Sequence, residues 1–354
     1  MSGADHTEAL QAAVAAARAD ATPLQILGGG TKAFLGRPPV GEPLSLAGHA
    51  GILSYEPSEL VIRVRSGTPL AEVEATLADR GQMLAFEPPH FRAGATLGGC
   101  VASGLSGPRR PFGGAVRDHV LGVRLLNGRA EVLRFGGEVM KNVAGYDLSR
   151  LMVGAMGTLG VLLDVSVKVL PRPPVEVTVR RPGSPGEAIE VMNRWAGRPL
   201  PLSAAAFDGE HLHVRLSGTE SGVRAARSVI GGDLVDDGDG FWQRLRDQRH
   251  AFFQSGLPLW RLSVPAATRP LGLPGKELID WGGAQRWLLS DAPAGQVRGA
   301  AAAAGGHATL FRGGDRSGDV FHPLAPAVAA LHRRLKAAFD PDHLLNRGRL
   351  YAEL

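Results

Sequence analysis

A single cysteine, Cys100, stands among 354 residues. One thiol excludes an internal disulfide. It also excludes iron–sulfur ligation by this chain alone, because such a cluster needs about four thiolates. No apolar run approaches the roughly 18 residues of a membrane-spanning helix. The first twenty residues lack a basic start followed by an apolar core; Asp5, Glu8, Arg18 and Asp20 punctuate an alanine-rich amphipathic stretch instead. No secretion signal and a cytoplasmic location are therefore expected. Lys and Arg exceed Asp and Glu by 39 to 34. The basic residues are scattered, with no run and no aromatic interleave, which argues against nucleic acid as a partner. No repeat, low-complexity linker, Ser-His-Asp set or carboxylate pair stands out. His211 and His213 share one face of a predicted strand, without adjoining ligands. They read as exposed strand histidines, and no metal site is expected.

Glycine, by contrast, is abundant, with 48 residues. Gly28-Gly29-Gly30-Thr31-Lys32 follows the apolar run Leu24 to Leu27. A second glycine-rich turn spans Ala95 to Gly107. A row of backbone N–H groups with little side chain in the way can cradle phosphate, since the amide dipoles point at the anion and glycine permits close approach. Two such turns could clamp a diphosphate from two sides, which suggests a dinucleotide cofactor. A nicotinamide-type fingerprint needs Gly-x-Gly-x-x-Gly opening a helix, with an acid about 20 residues on. Thr31, Lys32 and Ala33 fill those slots here, so the spacing does not fit the NAD fingerprint.

The chain is long enough for two domains. Helices are predicted over 7–19, 70–80, 187–195, 222–230, 241–254, 294–304 and 325–339. Strands are predicted over 24–27, 60–65, 83–86, 175–180, 202–207, 211–216, 259–264, 285–289 and 307–312. Asn127-Gly128 between two apolar runs is the strongest hairpin signal. Asp147 is read as a helix cap. Val161, Leu163, Val165, Val167 and Val169 alternate with polar residues, as in a half-buried strand. Pro171-Arg172-Pro173-Pro174 reads as a linker. The fold class is α+β. An FAD-binding domain is expected over 1–171, a smaller α+β cap with helices on one face of an antiparallel sheet over 175–320, and a segment returning to the first domain over 321–354.

The two glycine turns, the run Lys141 to Leu148, then Gly157-Thr158-Leu159-Gly160-Val161, occur in this order in FAD-linked oxidases. The chain resembles that vanillyl-alcohol-oxidase-like family, with its PCMH-type FAD-binding domain. The tail Phe339-Asp340-Pro341 to Asn346-Arg347-Gly348 is similar to the family's Asn-Pro-Gly signature, with Arg347 in place of proline. Ala155-Met156-Gly157 departs from the usual Gly-x-Glu-Gly. Phe86 to Phe91, Leu105 to Pro111 and Asp280 to Leu288 are similar to flavin subunits of glycolate-oxidising complexes.

The resemblance implies FAD as cofactor. Gly28, Gly29, Gly30, Thr31 and Lys32 would form one arm of the site, and Thr96, Gly98, Gly99, Ser103 and Gly104 the other. Gly157, Gly160, Val161 and Asn346 would complete it, Val161 through its backbone. Thr31 stands where a linking histidine would be, so the flavin is expected to be non-covalent. The resemblance further implies a subunit acting in oxidation of glycolate to glyoxylate, beside a catalytic flavoprotein subunit and an iron–sulfur subunit, reaching a membrane only through these partners. A stand-alone oxidoreductase for another hydroxy acid or alcohol, and a non-catalytic structural subunit, are the alternatives. No catalytic residue is evident. Arg109, Arg110 and Arg286 are the candidates for holding a carboxylate, since guanidinium matches both its oxygens. Trp281 to Trp287 are expected to meet a partner or close over the flavin. Cys100 reads as a small packed residue.

Overall fold

Residues 4–137 and 147–354 are described in the computed structural model. The alanine-rich start forms the helix Thr7–Ala19, and the apolar run after Pro23 forms the strand Leu24–Leu27, paired in parallel with Glu42–Ser45. A five-stranded antiparallel sheet follows, ordered Ile52–Glu56, Val61–Arg65, Val161–Lys168, Val120–Leu126, Val132–Gly136. Its hairpin turns at Asn127, whose Oδ1 accepts the amides of Arg129 and Glu131, both at 2.9 Å. This side-chain turn makes the loop longer than the two residues Asn-Gly alone suggests. Asp147 caps the short helix Leu148–Leu151, accepting from the Arg150 amide. The predicted strand at 83–86 is reduced to Gln82–Met83, paired with Leu170–Pro171.

The strand Val161–Lys168 corrects the alternation read from sequence. It is buried on both faces up to Val167. Arg124 pairs with Asp164, whereas Leu125 pairs with Leu162, so an extra residue bulges out at Leu163. A bulge reverses which face the following side chains take. Val161 and Leu163 accordingly join Leu10, Val14 and Leu345 in one cluster. Val165, Val167 and Val169 join Leu70, Val73 and Phe86 in another. Asp164 is buried because it is paired with Arg63 and Arg124, at 2.9 and 3.0 Å.

Residues 175–312 supply an eight-stranded antiparallel sheet. From one edge it runs Asp233–Leu234, Val175–Pro182, His211–Gly218, Leu202–Phe207, Lys276–Asp280, Gln285–Leu289, Leu259–Ser263, His307–Arg312. The strand Lys276–Asp280 was not evident in the sequence. Helices Pro185–Ala196, Glu220–Ile230 and Ala294–Ala303 pack on one face. The expectation of helices on one face only is corrected, since Gly238–Arg246 packs on the other. There Ala204, Leu278, Trp287 and Leu289 also meet Phe34, Leu35, Phe91 and Leu105 from the first part of the chain. The last helix, Pro326–Phe339, is followed by a tail that rejoins the strand Leu24–Leu27: Leu24 N donates to Leu344 O at 2.7 Å and Asn346 N to Leu24 O at 2.9 Å.

Candidate functional site

The strand Leu24–Leu27 delivers the chain into Gly28-Gly29-Gly30. Only glycine fits at position 29, where a Cβ would stand 1.5 Å from Gly94 O. Gly30 has φ +64°, the left-handed region that glycine enters without strain. The amides of Gly28, Gly29, Gly30, Thr31 and Lys32 donate to no group among the described residues. Such groups, turned into a cleft, are anion donors in waiting.

The second glycine stretch does something different from what its composition suggested. It folds into the helix Leu97–Ser103, capped by Thr96, whose hydroxyl accepts from Gly99 N at 3.2 Å. Gly98 N donates to Ser66 O and Cys100 N to Thr96 O. These amides are committed within the protein. Gly98 is glycine because a Cβ would lie 2.4 Å from Ser66 Cβ. This segment shapes the cleft floor rather than offering a second row of donors.

Between these two segments lies a cleft of about 1010 Å³ including its mouth. Of the residues expected to hold the cofactor, Gly28 to Lys32, Thr96, Gly98, Gly99, Ser103, Gly157, Gly160 and Asn346 line it. Gly104 and Val161 do not. Gly104 ends the helix in the left-handed region, against Gly154. Val161 points its side chain into the core. Asn346 acts as a tie: its Oδ1 accepts from Ile26 N at 2.8 Å and its Nδ2 donates to Met156 O at 2.6 Å. Leu125, Met152, Met156 and Leu162 give the cleft apolar walls, and Arg349 enters from the tail. None of these five was named as a site residue by sequence, although Met156 and Arg349 lie in or beside quoted motifs, because side-chain direction into the cleft is set by distant packing.

The cleft is positively charged. Among the described residues Lys32 and Arg349 line it, and no Asp, Glu, His, Tyr or Cys does. The Lys32 ammonium lies 3.4 Å from Thr31 Oγ1 and 5.6 Å from the centre of the Phe91 ring. Burial pulls its pKa below the usual lysine range, opposed by Cys100 and Asp247. Burial, with Arg316 nearby, brings Arg349 down to about 10. Two partly desolvated cations, a row of unpartnered amides and apolar walls suit a diphosphate joined to flat rings, and FAD fits that description.

The candidate arginines Arg109, Arg110 and Arg286 do not line this cleft. Arg109 is paired with Glu87 at 3.2 Å and with Glu176, and Arg215 bridges to the same Glu87 at 2.7 Å. The Arg110 guanidinium stacks 4.3 Å from the Trp281 ring centre. Arg286 is fully buried, donating to Gly283 O and Thr268 O, both at 2.7 Å. Trp281 is buried too, and its Nε1 donates to Gly107 O at 3.0 Å. Trp287 packs on Phe253 and Phe311. Both tryptophans therefore belong to contacts inside the chain.

His213 is buried, not exposed: its Nε2 lies 2.9 Å from Asp208 and its ring stacks 3.9 Å from Phe241. No cluster of three or more potential metal ligands occurs among the described residues. Cys100 is fully buried in the core, and burial pushes its thiol up to about 12. The run Lys141 to Tyr146, part of the family resemblance, lies outside the described residues.

Residues 3–136 match the family model of an FAD binding domain. The chain is 51% identical over 350 residues to glycolate oxidase subunit GlcE of Escherichia coli K12, covering 99% of each. It is 31% identical over 128 residues to glycolate oxidase subunit GlcD of Bacillus subtilis 168, covering 36% of this chain and 27% of that one. Among solved structures it resembles p-cresol methylhydroxylase, with a TM-score of 0.73 at 16% identity, covering 98% of this chain and 87% of the other. At that identity the likeness speaks for the fold alone.

Proposed function

This chain belongs to the family of glycolate oxidase subunit GlcE, and from that premise we propose that it is the FAD-binding subunit of a complex oxidising glycolate to glyoxylate. The observation that carries the cofactor is the row of unpartnered amides from Gly28 to Lys32, facing a cleft that, among the described residues, is lined by two cations and no carboxylate. Those amides would hold the diphosphate, and Lys32 and Arg349 would balance its charge. Leu125, Met152, Met156 and Leu162 exclude water from the walls, while Thr96 and Asn346 keep the walls in place. Bound there, FAD supplies a two-electron acceptor. Among the described residues no histidine, cysteine or tyrosine lines the cleft, which supports a flavin held without a covalent bond.

The same lining supports dependence on partners. Taking the hydroxyl proton of a hydroxy acid calls for a positioned base, and among the described residues no His, Asp, Glu or Tyr lines the cleft. We assign that step to a catalytic flavoprotein subunit. Electrons then leave through an iron–sulfur subunit, because Cys100 alone cannot ligate a cluster. In this reading residues 1–171 form the flavin-binding domain, 175–320 the cap, and 321–354 a segment returning to the flavin. Among the described residues no helix is long and apolar enough to cross a membrane. The same reading has the subunit working in the cytoplasm and meeting a membrane only through its partners.

The test is the absorbance spectrum of the chain purified alone and with its partners, followed by acid precipitation. A flavin spectrum, with the flavin released into the supernatant, is expected. A colourless protein in an intact, active complex would instead identify a structural subunit.

A further inference from the structure

We propose that Arg349 is a positioning residue of the diphosphate-binding turn, holding from the C-terminal tail the carbonyls that close the turn so that the amides of Gly28 to Lys32 stay aimed into the cleft. The inference rests on the FAD reading above and assigns part of that site to a residue some 320 positions away.

The guanidinium makes three bonds to the loop after the glycines. Its Nη1 donates to Arg37 O at 3.0 Å, and its Nη2 to Ala33 O at 3.1 Å and Lys32 O at 3.3 Å. Within a planar peptide unit the carbonyl and the amide point in opposite directions. The Lys32 carbonyl shares its peptide plane with the Ala33 amide, which donates to Gly30 O at 3.2 Å; holding that carbonyl on the tail side therefore also holds the Gly30–Thr31 plane, and with it the direction of the Thr31 amide. The interlock is mutual. Arg37 N donates back to Arg349 O at 2.9 Å. Gly36, at φ +76°, lies so close that a Cβ would stand 2.8 Å from that same oxygen.

Three carbonyls at fixed angles suit the planar fork of arginine; a lysine ammonium is a point charge on a flexible stem. The charge matters as well. Among the described residues no carboxylate lines the cleft beside Arg349. Its charged neighbour is Arg316, which is itself occupied with Gly36 O and Leu310 O. Two guanidiniums that satisfy only carbonyls leave positive charge uncompensated until a dianion arrives. That combination of rigid donors and unbalanced charge is what a preformed diphosphate site requires.

The experiment compares the wild-type chain with Arg349→Lys and Arg349→Gln, reading apo-protein melting and FAD affinity by quenching of flavin fluorescence. Wild-type protein that fails to bind FAD refutes the cofactor reading itself. With wild-type binding established, both variants should lose about ten- to a hundredfold in affinity, as for lost charge-assisted hydrogen bonds. Arg349→Lys should recover only part of the loss, because it keeps the charge but not the fork. Affinity within about twofold of wild type in either variant overturns the proposal. A second readout separates this role from simple stabilisation. Wild-type affinity should fall as KCl rises from about 0.05 to 0.5 M, and fall less steeply in Arg349→Gln. If Arg349→Gln does not fold, Arg349→Lys and the wild-type salt series decide, and salt-independent wild-type binding overturns it.

Discussion

Lys336 and Asp340, one helical turn apart, form an ion pair of 2.7 Å in the interior of the protein. Neither faces water. Lys336 Nζ also donates to Thr158 O and Leu345 O, both at 2.8 Å. The Asp340 carboxylate accepts the amides of Leu344 and Leu345 at 3.0 and 2.8 Å. The pair thus joins the last helix, the tail that carries Asn346, and the Gly157 loop of the cleft. Removing one partner would leave a buried charge alone. Lys336→Met should destabilise the protein by about 3–5 kcal/mol, and Lys336→Met with Asp340→Leu by less than Lys336→Met alone if the charges dominate. Urea unfolding followed by tryptophan fluorescence measures both.

Thr31 sits in the row of unpartnered amides and lines the cleft. Thr31→Asp places a carboxylate where a diphosphate is to bind, in a cleft whose described lining has none. FAD affinity should fall by at least about a hundredfold, as expected for unpaired like charges in a partly desolvated site. Thr31→Ser should bind nearly as the wild type does. The choice of residue matters: at Gly29 the backbone of Gly94 blocks any side chain, so a substitution there would test folding rather than charge.

Asp280 is buried, and desolvation pushes its carboxyl up to about 7, against the pull of the Trp281 amide. The folded state therefore binds a proton that the unfolded chain releases near pH 4. The resulting stabilisation is present in full below about pH 4 and is lost as pH rises through 7, a change of up to about 4 kcal/mol. Asp280→Asn should flatten this part of the pH profile and gain most over wild type near pH 8. Thermal melts at pH 5, 7 and 8 check the sign, and an unchanged profile would remove Asp280 from consideration.

Trp281 Nε1 donates to Gly107 O across the seam between the two large sheets. Trp281→Phe keeps most of the packing and loses that bond, so a loss of about 1 kcal/mol is expected. Partner subunits should co-purify unchanged, since the ring is buried within the chain. Pull-down with the partners decides it; loss of co-purification at unchanged stability would return this segment to the role of an external interface.

Mixing the isolated, flavin-loaded chain with glycolate under anaerobic conditions should bleach the flavin slowly or not at all, whereas the assembled complex should be reduced rapidly. Rapid bleaching of the isolated chain would show that a base outside the described cleft lining serves the reaction.

The turn at Gly28 to Lys32 was legible because its signal is local: an apolar strand, then three glycines. The same reasoning mistook the stretch after Thr96 for a second donor row. Whether an amide is available depends on partners such as Ser66, which lies far away in sequence. Arg349 was invisible for a related reason, as its acceptors at 32, 33 and 37 precede it by more than three hundred residues. The bulge at Leu163 was missed because regular alternation in one strand says nothing of register against its neighbour. Lys276–Asp280 was missed because Lys, Glu and Asp outnumber its apolar residues, and only pairing with Gln285–Leu289 reveals it as a strand.

The aromatic contacts that run from Phe34 and Phe91 through Phe311 to Trp287 and Phe253 have a thermodynamic consequence. Phe34 lies two residues beyond Lys32, and its ring packs in the core of the eight-stranded sheet. The nucleotide-facing loop and that sheet therefore cannot melt independently: opening one exposes the hydrophobic surface of the other. The two sheets should unfold in a single calorimetric transition, and a ligand that binds only beside the glycines should raise the melting temperature of both together.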